Sequence, residues 1–258
     1  MKPDGQDVKR LTDNAATDQK PVWSRDHSKI AWVSDRDGNF EIYSQNVVNG
    51  EAHGLPVRLT DNAARDAEPS WSPDGKQLVF TSNRDGQREL YVLDVAGNST
   101  RRLTQRPGNE DYSPAWSPQG DKIAFQSQLV DTGQFRGGIP SYIYTVSNNG
   151  KDIQKVTNGF FDADPTWHPN GSKIAFWRSI IMTVDLSNGA ETVLSPDGYI
   201  SPSYSPDGQH VACVKGISEG EHEKATINAE VFVLNANEVT DEPRRITNNL
   251  AYDGMPAW

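Results

Sequence analysis

Cysteine is all but absent. Cys213 stands alone in 258 residues, so no internal disulfide can close and the redox compartment stays open. No apolar run approaches the roughly eighteen residues of a membrane-spanning helix, which removes membrane insertion from the expected roles. Positive charge is in deficit: 25 Lys and Arg against 35 Asp and Glu give a net charge of −10. A basic face for nucleic acid is therefore not expected. The opening "MKPDGQDVKR" lacks the features of a secretory signal, although a leader removed before this numbering leaves export open. Helical periodicity is scarce throughout. At this length one large domain with a substantial core is expected, over residues 1–258.

Repetition is what the sequence has in quantity. A P-x-W-S element recurs as "PVWS" at Pro21, "PSWS" at Pro69, "PAWS" at Pro114, "PTWH" at Pro165, "PSYS" at Pro202 and "PAW" at Pro256. The spacings are 48, 45, 51, 37 and 54 residues, the range of a propeller blade. Before each element lies a triplet ending in a hydroxyl residue: "RLT" at Thr12, Thr60 and Thr104, "KVT" at Thr157, "VLS" at Ser195 and "RIT" at Thr247. After it comes a turn and an alternating strand, as in "SPDGKQLVF". There Pro73 presets φ, Asp74 accepts a local hydrogen bond and Gly75 takes the positive φ that closes the turn. "RDG" at Arg36–Gly38 and Arg84–Gly86 marks a second hairpin turn, followed by "EIY" or "ELY" as a third strand. Four short antiparallel strands per unit predict an all-β propeller, with the repeated tryptophans packing blade on blade.

The pattern "RLT…D..P.WSPDGK.IAF.S.RDG..EIY" resembles the β-propeller repeat of the TolB family, over essentially the whole chain. The chain reads as a TolB-like propeller without the TolB N-terminal domain. The resemblance implies an exported, cell-envelope setting and a role in protein contacts. The same repeat is similar to those of prolyl-oligopeptidase-type propellers and oligogalacturonate lyases. Five units read as complete, at roughly 20–60, 68–104, 113–157, 164–195 and 201–247. "GMPAW" at the C-terminus and "DVKRLT" at the N-terminus predict an incomplete sixth blade, whose unpaired edges invite self-association.

Function is expected where the repetition breaks. The connection from second to third strand lengthens to "QLVDTGQFRGGIPS" (Gln128–Ser141) in blade three and "KGISEGEHEKATINA" (Lys215–Ala229) in blade five, and shrinks to Arg178–Ser179 in blade four. This predicts a cleft over blade four, walled by Phe135 and Arg136 on one side and Glu221 and His222 on the other. Its floor would carry Phe160, Phe161, Trp177, Arg178 and Tyr199. Aromatic and arginine side chains at a recessed centre suit a protein or peptide ligand.

Three residues before each motif proline stand Asp18, Asp66, Asp111, Asp162, Tyr199 and Asp253. Carboxylates converging on the channel mouth could hold Ca²⁺ through oxygen ligands; alternatively each bonds the backbone of its own turn. "GISEG" at Gly216–Gly220 matches G-x-S-x-G but lies in a propeller without the strand-to-helix elbow that motif needs. The five histidines have no metal spacing, and Cys213 on an alternating strand reads as core. The leading expectation is a non-enzymatic recognition module binding a protein or peptide over blades three to five. The alternative is a carbohydrate-processing, lyase-like enzyme in which Arg136, Arg178, Glu221, His222 and Glu223 meet an acidic sugar.

Overall fold

A computed structural model describes residues 9–97, 99–130, 133, 138–219, 226–237 and 243–247. Among them there is no helix, and the strands form five four-stranded antiparallel sheets in chain order. Sheet one comprises β1 (Asp18–Trp23), β2 (Lys29–Ser34), β3 (Glu41–Val48) and β4 (Glu51–Arg58). Sheet two comprises β5 (Asp66–Trp71), β6 (Gln77–Ser82), β7 (Glu89–Asp94) and β8 (Ser99–Arg102). Sheet three comprises β9 (Asn109–Trp116), β10 (Lys122–Leu129), β11 (Ser141–Ser147) and β12 (Gln154–Lys155). Sheet four comprises β13 (Ala163–Trp167), β14 (Lys173–Arg178), β15 (Ile180–Asp185) and β16 (Glu191–Val193). Sheet five comprises β17 (Tyr199–Tyr204), β18 (His210–Glu219), β19 (Thr226–Asn235) and β20 (Arg244–Arg245).

Five blades of four strands correct the expected six-bladed plan with an incomplete sixth. The N-terminal "RLT" at Arg10–Thr12 forms no strand, and among the described residues no third strand pairs with it as an outer strand requires. The remaining residues assigned to that blade, 7–8 and 254–258, lie outside the described residues. The expected long loop at Lys215–Ala229 is also corrected. β18 and β19 continue their ladder through Gly216↔Ala229 as far as Glu219↔Thr226, so most of this segment is hairpin. Ser218 of "GISEG" pairs with Ile227 within that ladder and sits at no elbow.

The chain divides into two compact parts, one spanning Arg10–Pro165 and the other beginning at Thr166. In the first part, Ala31 and Ile42 of sheet one pack with Trp71, Leu78, Phe80, Tyr91 and Leu93 of sheet two. Val79, Leu90 and Val92 of sheet two pack in turn with Trp116, Ile123 and Phe125 of sheet three. In the second part, Ala175 and Ile181 of sheet four meet Tyr199, Tyr204, Val211, Cys213 and Phe232 of sheet five. Motif tryptophans Trp71, Trp116 and Trp167 are buried, and Trp71 Nε1 donates to Val22 O at 3.3 Å, tying sheet two to sheet one. Trp71 packs among sheet-one residues and Trp116 among sheet-two residues, large rings that bury much area at one fixed register.

The S-P-D-G turns close as their composition requires. Ser72 Oγ donates to Asp74 Oδ1 at 2.6 Å, Lys76 N donates to the same oxygen at 3.1 Å, and Gly75 takes φ +66°. A second repeated device lies inside the sheets. Glu41 is fully buried and accepts from Arg58 Nη2 (3.1 Å), Thr60 Oγ1 (2.5 Å), Asn39 Nδ2 (3.0 Å) and Asn62 N (2.9 Å). Glu89 repeats this with Arg102 (2.8 Å), Thr104 (2.6 Å) and Arg106 N (2.9 Å), and Glu230 with Arg245 (2.9 Å) and Thr247. The "RLT" triplet thus supplies the cation and the hydroxyl that satisfy a buried carboxylate on the third strand.

Candidate functional site on the loop face

In an antiparallel four-stranded sheet, the loops after the second and fourth strands leave from the same end. In residues 10–165 these include residues 35–40, 59–65, 83–88, 103–108 and 156–162, and the inner strands begin among them. The residue before each of the five described motif prolines is left-handed although none is glycine: Lys20 at φ +54°, Glu68 at +56°, Ser113 at +46°, Asp164 at +48° and Ser201 at +51°. In sheets one, two, three and five the ladder slips at or beside this point, a bulge in each inner edge. Left-handed backbone costs an ordinary residue about 1 kcal/mol or more. The bulge turns that residue's polar groups away from its own ladder and toward the next sheet. Ser113 N donates to Glu68 Oε2 at 2.8 Å, and Ser113 Oγ donates to Asp164 Oδ1 at 3.0 Å. Three successive inner strands are laced together this way.

Of the acidic register, Asp18, Asp66, Asp111 and Asp162 are described, and Asp253 lies outside the described residues. Asp18 accepts from Asn14 Nδ2 (2.8 Å) and Arg36 Nη2 (3.1 Å), and Asp66 from Asn62 Nδ2 (2.7 Å) and Arg84 Nη2 (2.8 Å). Arg36 and Arg84 come from the "RDG" turns and lie over the aromatic pairs Trp32/Tyr43 and Phe80/Tyr91. Sheet three has no such turn. Arg106, from the preceding loop, takes its place: it lies 4.1 Å from the Tyr144 ring centroid, donates to Ser127 Oγ at 2.6 Å and reaches Asp111 Oδ1 at 3.4 Å. Burial pulls the Asp18 carboxyl upward, but bonds from Ser34, Asn14, Thr12 and Arg36 outweigh it and the net direction is down. Burial dominates at Asp66, which is raised despite Ser82, Arg84 and Asn62, and at Asp111, raised to about 6 despite Ser127, Arg106 and Thr104. Asp162 is fully buried, and Ser141 Oγ donates to its backbone carbonyl at 2.9 Å. Among the described residues, no three His, Cys, Asp or Glu side chains gather as a metal ion would require.

The residues expected to form a cleft over blade four are distributed as follows. Phe160 and Phe161 belong to residues 10–165 and stand 58% and 43% exposed on the loop between β12 and β13. They are the two exposed Phe, Tyr or Trp rings among the described residues. Phe160 lies 5.9 Å from the Tyr142 ring, and Lys155 Nζ sits 3.3 Å from the centroid of Tyr142. Phe161 is left-handed at φ +65°, and a Cβ on Gly138 would fall 2.8 Å from its ring, so that glycine admits the ring's approach. Trp177, Arg178 and Tyr199 belong to the second part. Arg178 forms a fork on Glu191 at 2.6 and 3.3 Å, Trp177 Nε1 is buried without a partner, and Tyr199 is a core residue edge-on to Phe232 at 5.3 Å. The connection between β14 and β15 is as short as expected, with Ser179 at φ +61° between the paired Arg178 and Ile180. Phe135, Arg136, Glu221 and His222 lie outside the described residues.

One feature of the loop face escaped the sequence reading. A recess of about 120 Å³ opens between sheets two and three, lined by Arg65, Ala67, Glu68, Thr81, Ser82, Arg88 and Tyr112. Its residues come from four separate stretches of the chain, and none carries a recognisable motif. The one local signal was the polar residue before Pro69.

A family model described as the TolB beta propeller domain matches residues 53–183, half of the chain. Among solved structures, TolB from Acinetobacter baumannii is similar at 25% identity and TM-score 0.74, over 99% of this chain and 60% of that one. The chain therefore spans about 60% of that protein's length. A putative TolB from Agrobacterium tumefaciens aligns at 18% identity and TM-score 0.71, over 91% of this chain and 82% of its own. An oligogalacturonate lyase solved with manganese shares the fold at 14% identity and TM-score 0.61, over 88% and 64% of the two chains. No curated protein matches the chain.

Proposed function

Because the chain belongs to the TolB β-propeller domain family, we propose that it is a non-enzymatic recognition module that binds a protein or peptide on its loop face. The fold suits a protein-binding scaffold at that coarse level: rigid sheets, with variation confined to loops at one end. The observation that carries the finer reading is the pair Phe160 and Phe161. Every other described Phe, Tyr or Trp ring is buried or half-buried, yet these adjacent two are exposed on the same loop. Adjacent exposed aromatics beside a cation, here Lys155 over Tyr142, are the composition of a contact patch rather than of a solvated surface. On this reading the chain works in the cell envelope.

The acidic-sugar alternative has less behind it. Its likeness to the lyase is of fold alone, and the guanidinium of Arg178 is held by Glu191.

A photo-crosslinking residue placed at Phe160, with a second version at Lys76 on the opposite turns, tests the proposal in envelope extract. A discrete adduct at Phe160 and none at Lys76 is expected. Equal labelling at both positions, or none at Phe160, would overturn it.

A further inference from the structure

We propose that the recess between sheets two and three binds a peptide carboxylate, and so gives the loop face a preference for acidic segments of its partner. This rests on the recognition reading above and names the chemistry it selects. The arginines that brace this part of the chain are matched with acids: Arg36 with Asp18, Arg84 with Asp66, Arg106 with Asp111, Arg58 with Glu41 and Arg102 with Glu89. Arg65 and Arg88 are different. Among the described residues, no carboxylate lies within 4.0 Å of either guanidinium. Arg65 is instead stacked on Phe40 at 4.3 Å and Arg88 on Tyr112 at 4.9 Å. Stacking fixes the plane of a guanidinium while leaving its N–H edge for a planar acceptor such as a carboxylate.

Both arginines are set in place by their backbones. Arg65 N donates to Asn83 Oδ1 at 3.0 Å, and Arg88 O accepts from Asp111 N at 2.9 Å, so loops of neighbouring sheets hold them before any ligand arrives. The recess contains one acid of its own, Glu68. Its Oε2 is already bonded to Ser113 N at 2.8 Å and Thr81 Oγ1 at 3.3 Å, leaving two cations against one engaged carboxylate. The Tyr112 hydroxyl is likewise committed, donating to Glu110 and accepting from Gln128 Nε2 at 3.2 Å and from Arg88, whose remaining N–H groups are left for a ligand. A local excess of positive charge in a chain of net charge −10 selects at short range. Size narrows the ligand further. About 120 Å³ is the room of roughly four waters and far below the several hundred Å³ of a small-molecule pocket, so the recess suits the end of one side chain or of one peptide.

The test is a ¹⁵N NMR titration of the whole chain with three five-residue peptides. They are acetyl-Gly-Ser-Glu-Ser-Gly-amide, its glutamine counterpart, and acetyl-Gly-Ser-Gly-Ser-Gly with a free C-terminal carboxylate. At least one carboxylate peptide is expected to give saturable shifts at the amides of 65–68, 81–88 and 112–113, and the glutamine peptide none. Which carboxylate peptide binds assigns side chain or C-terminus. Arg65→Met with Arg88→Met, which keeps apolar cover on Phe40 and Tyr112, should weaken the binding about tenfold or more with the melting temperature unchanged. If the methionine pair fails to fold, Arg65→Lys with Arg88→Lys keeps the charge, loses the fork, and should weaken binding by a smaller factor. No saturable shift from either carboxylate peptide, equal response to glutamine, or undiminished binding in the variants would overturn the proposal. A crosslink at Phe160 that persists in such a case leaves the recognition reading standing and removes only the subsite.

Discussion

Replacing Asp111 by asparagine should remove a specific piece of the protein's pH dependence. Asp111 is fully buried at the start of sheet three, its Oδ2 has no partner, and Arg106 reaches only its Oδ1, at 3.4 Å. Burial is the largest influence on it and raises its pKa from an ordinary 3.8 to about 6. The folded chain therefore keeps a proton that the unfolded chain has released. The associated stabilisation is complete below about pH 3.8, declines as pH rises, and is gone above about pH 6. At about 1.36 kcal/mol per pH unit the change amounts to about 3 kcal/mol. Asparagine has no proton to lose and leaves the Arg106–Ser127 bond, at 2.6 Å, in place. Urea unfolding of parent and Asp111→Asn from about pH 4 to about pH 7 measures the difference directly, because other titrating groups cancel between the two proteins. The variant should gain on the parent by about 3 kcal/mol across that interval. Parallel curves would show that Asp111 ionises normally and that the account of its burial is wrong.

Glu89→Gln should cost about 3 kcal/mol or more in urea, because Arg102 would lose its buried anion; a loss below about 1 kcal/mol would make the Glu–Arg–Thr unit decorative. Trp71→Ala should cost about 3–5 kcal/mol, and Trp23→Ala, at a half-buried ring, clearly less. Chelation by EDTA should leave the melting temperature unchanged if Arg36, Arg84 and Arg106 are the true partners of the acidic register. A fall on chelation that Asp66→Asn with Asp162→Asn abolishes would instead assign a Ca²⁺ site there.

The blades were legible because their signals are local. Ser72, Asp74 and Gly75 close a turn among themselves, and "QLVF" marked a strand, although Leu78, Val79 and Phe80 are all buried and the expected half-buried alternation is absent. The sixth blade was misread because "RLT" is a strand only when a third strand stands beside it, and among the described residues none pairs with Arg10–Thr12. Lys215–Ala229 read as a loop because "GISEGEHEK" looks polar, whereas ladder pairing to Glu219↔Thr226 is a relation between two segments. Arg106 replaces a motif arginine from a different loop, which no fixed spacing reveals. Arg65 and Arg88 became visible only once their neighbours' partners were known. The register of Glu41 and Glu89, an acid fixed inside a strand and followed by "RLT", was the one long-range signal left unread in the sequence.

The recognition account is tested most directly by capture from envelope extract with the parent and Phe160→Ser/Phe161→Asn side by side. Asparagine suits the left-handed backbone at residue 161, and both rings are exposed, so the melting temperature should hold. The account predicts a defined partner retained by the parent and lost by the variant. Equal capture by both would contradict it and move recognition away from this face.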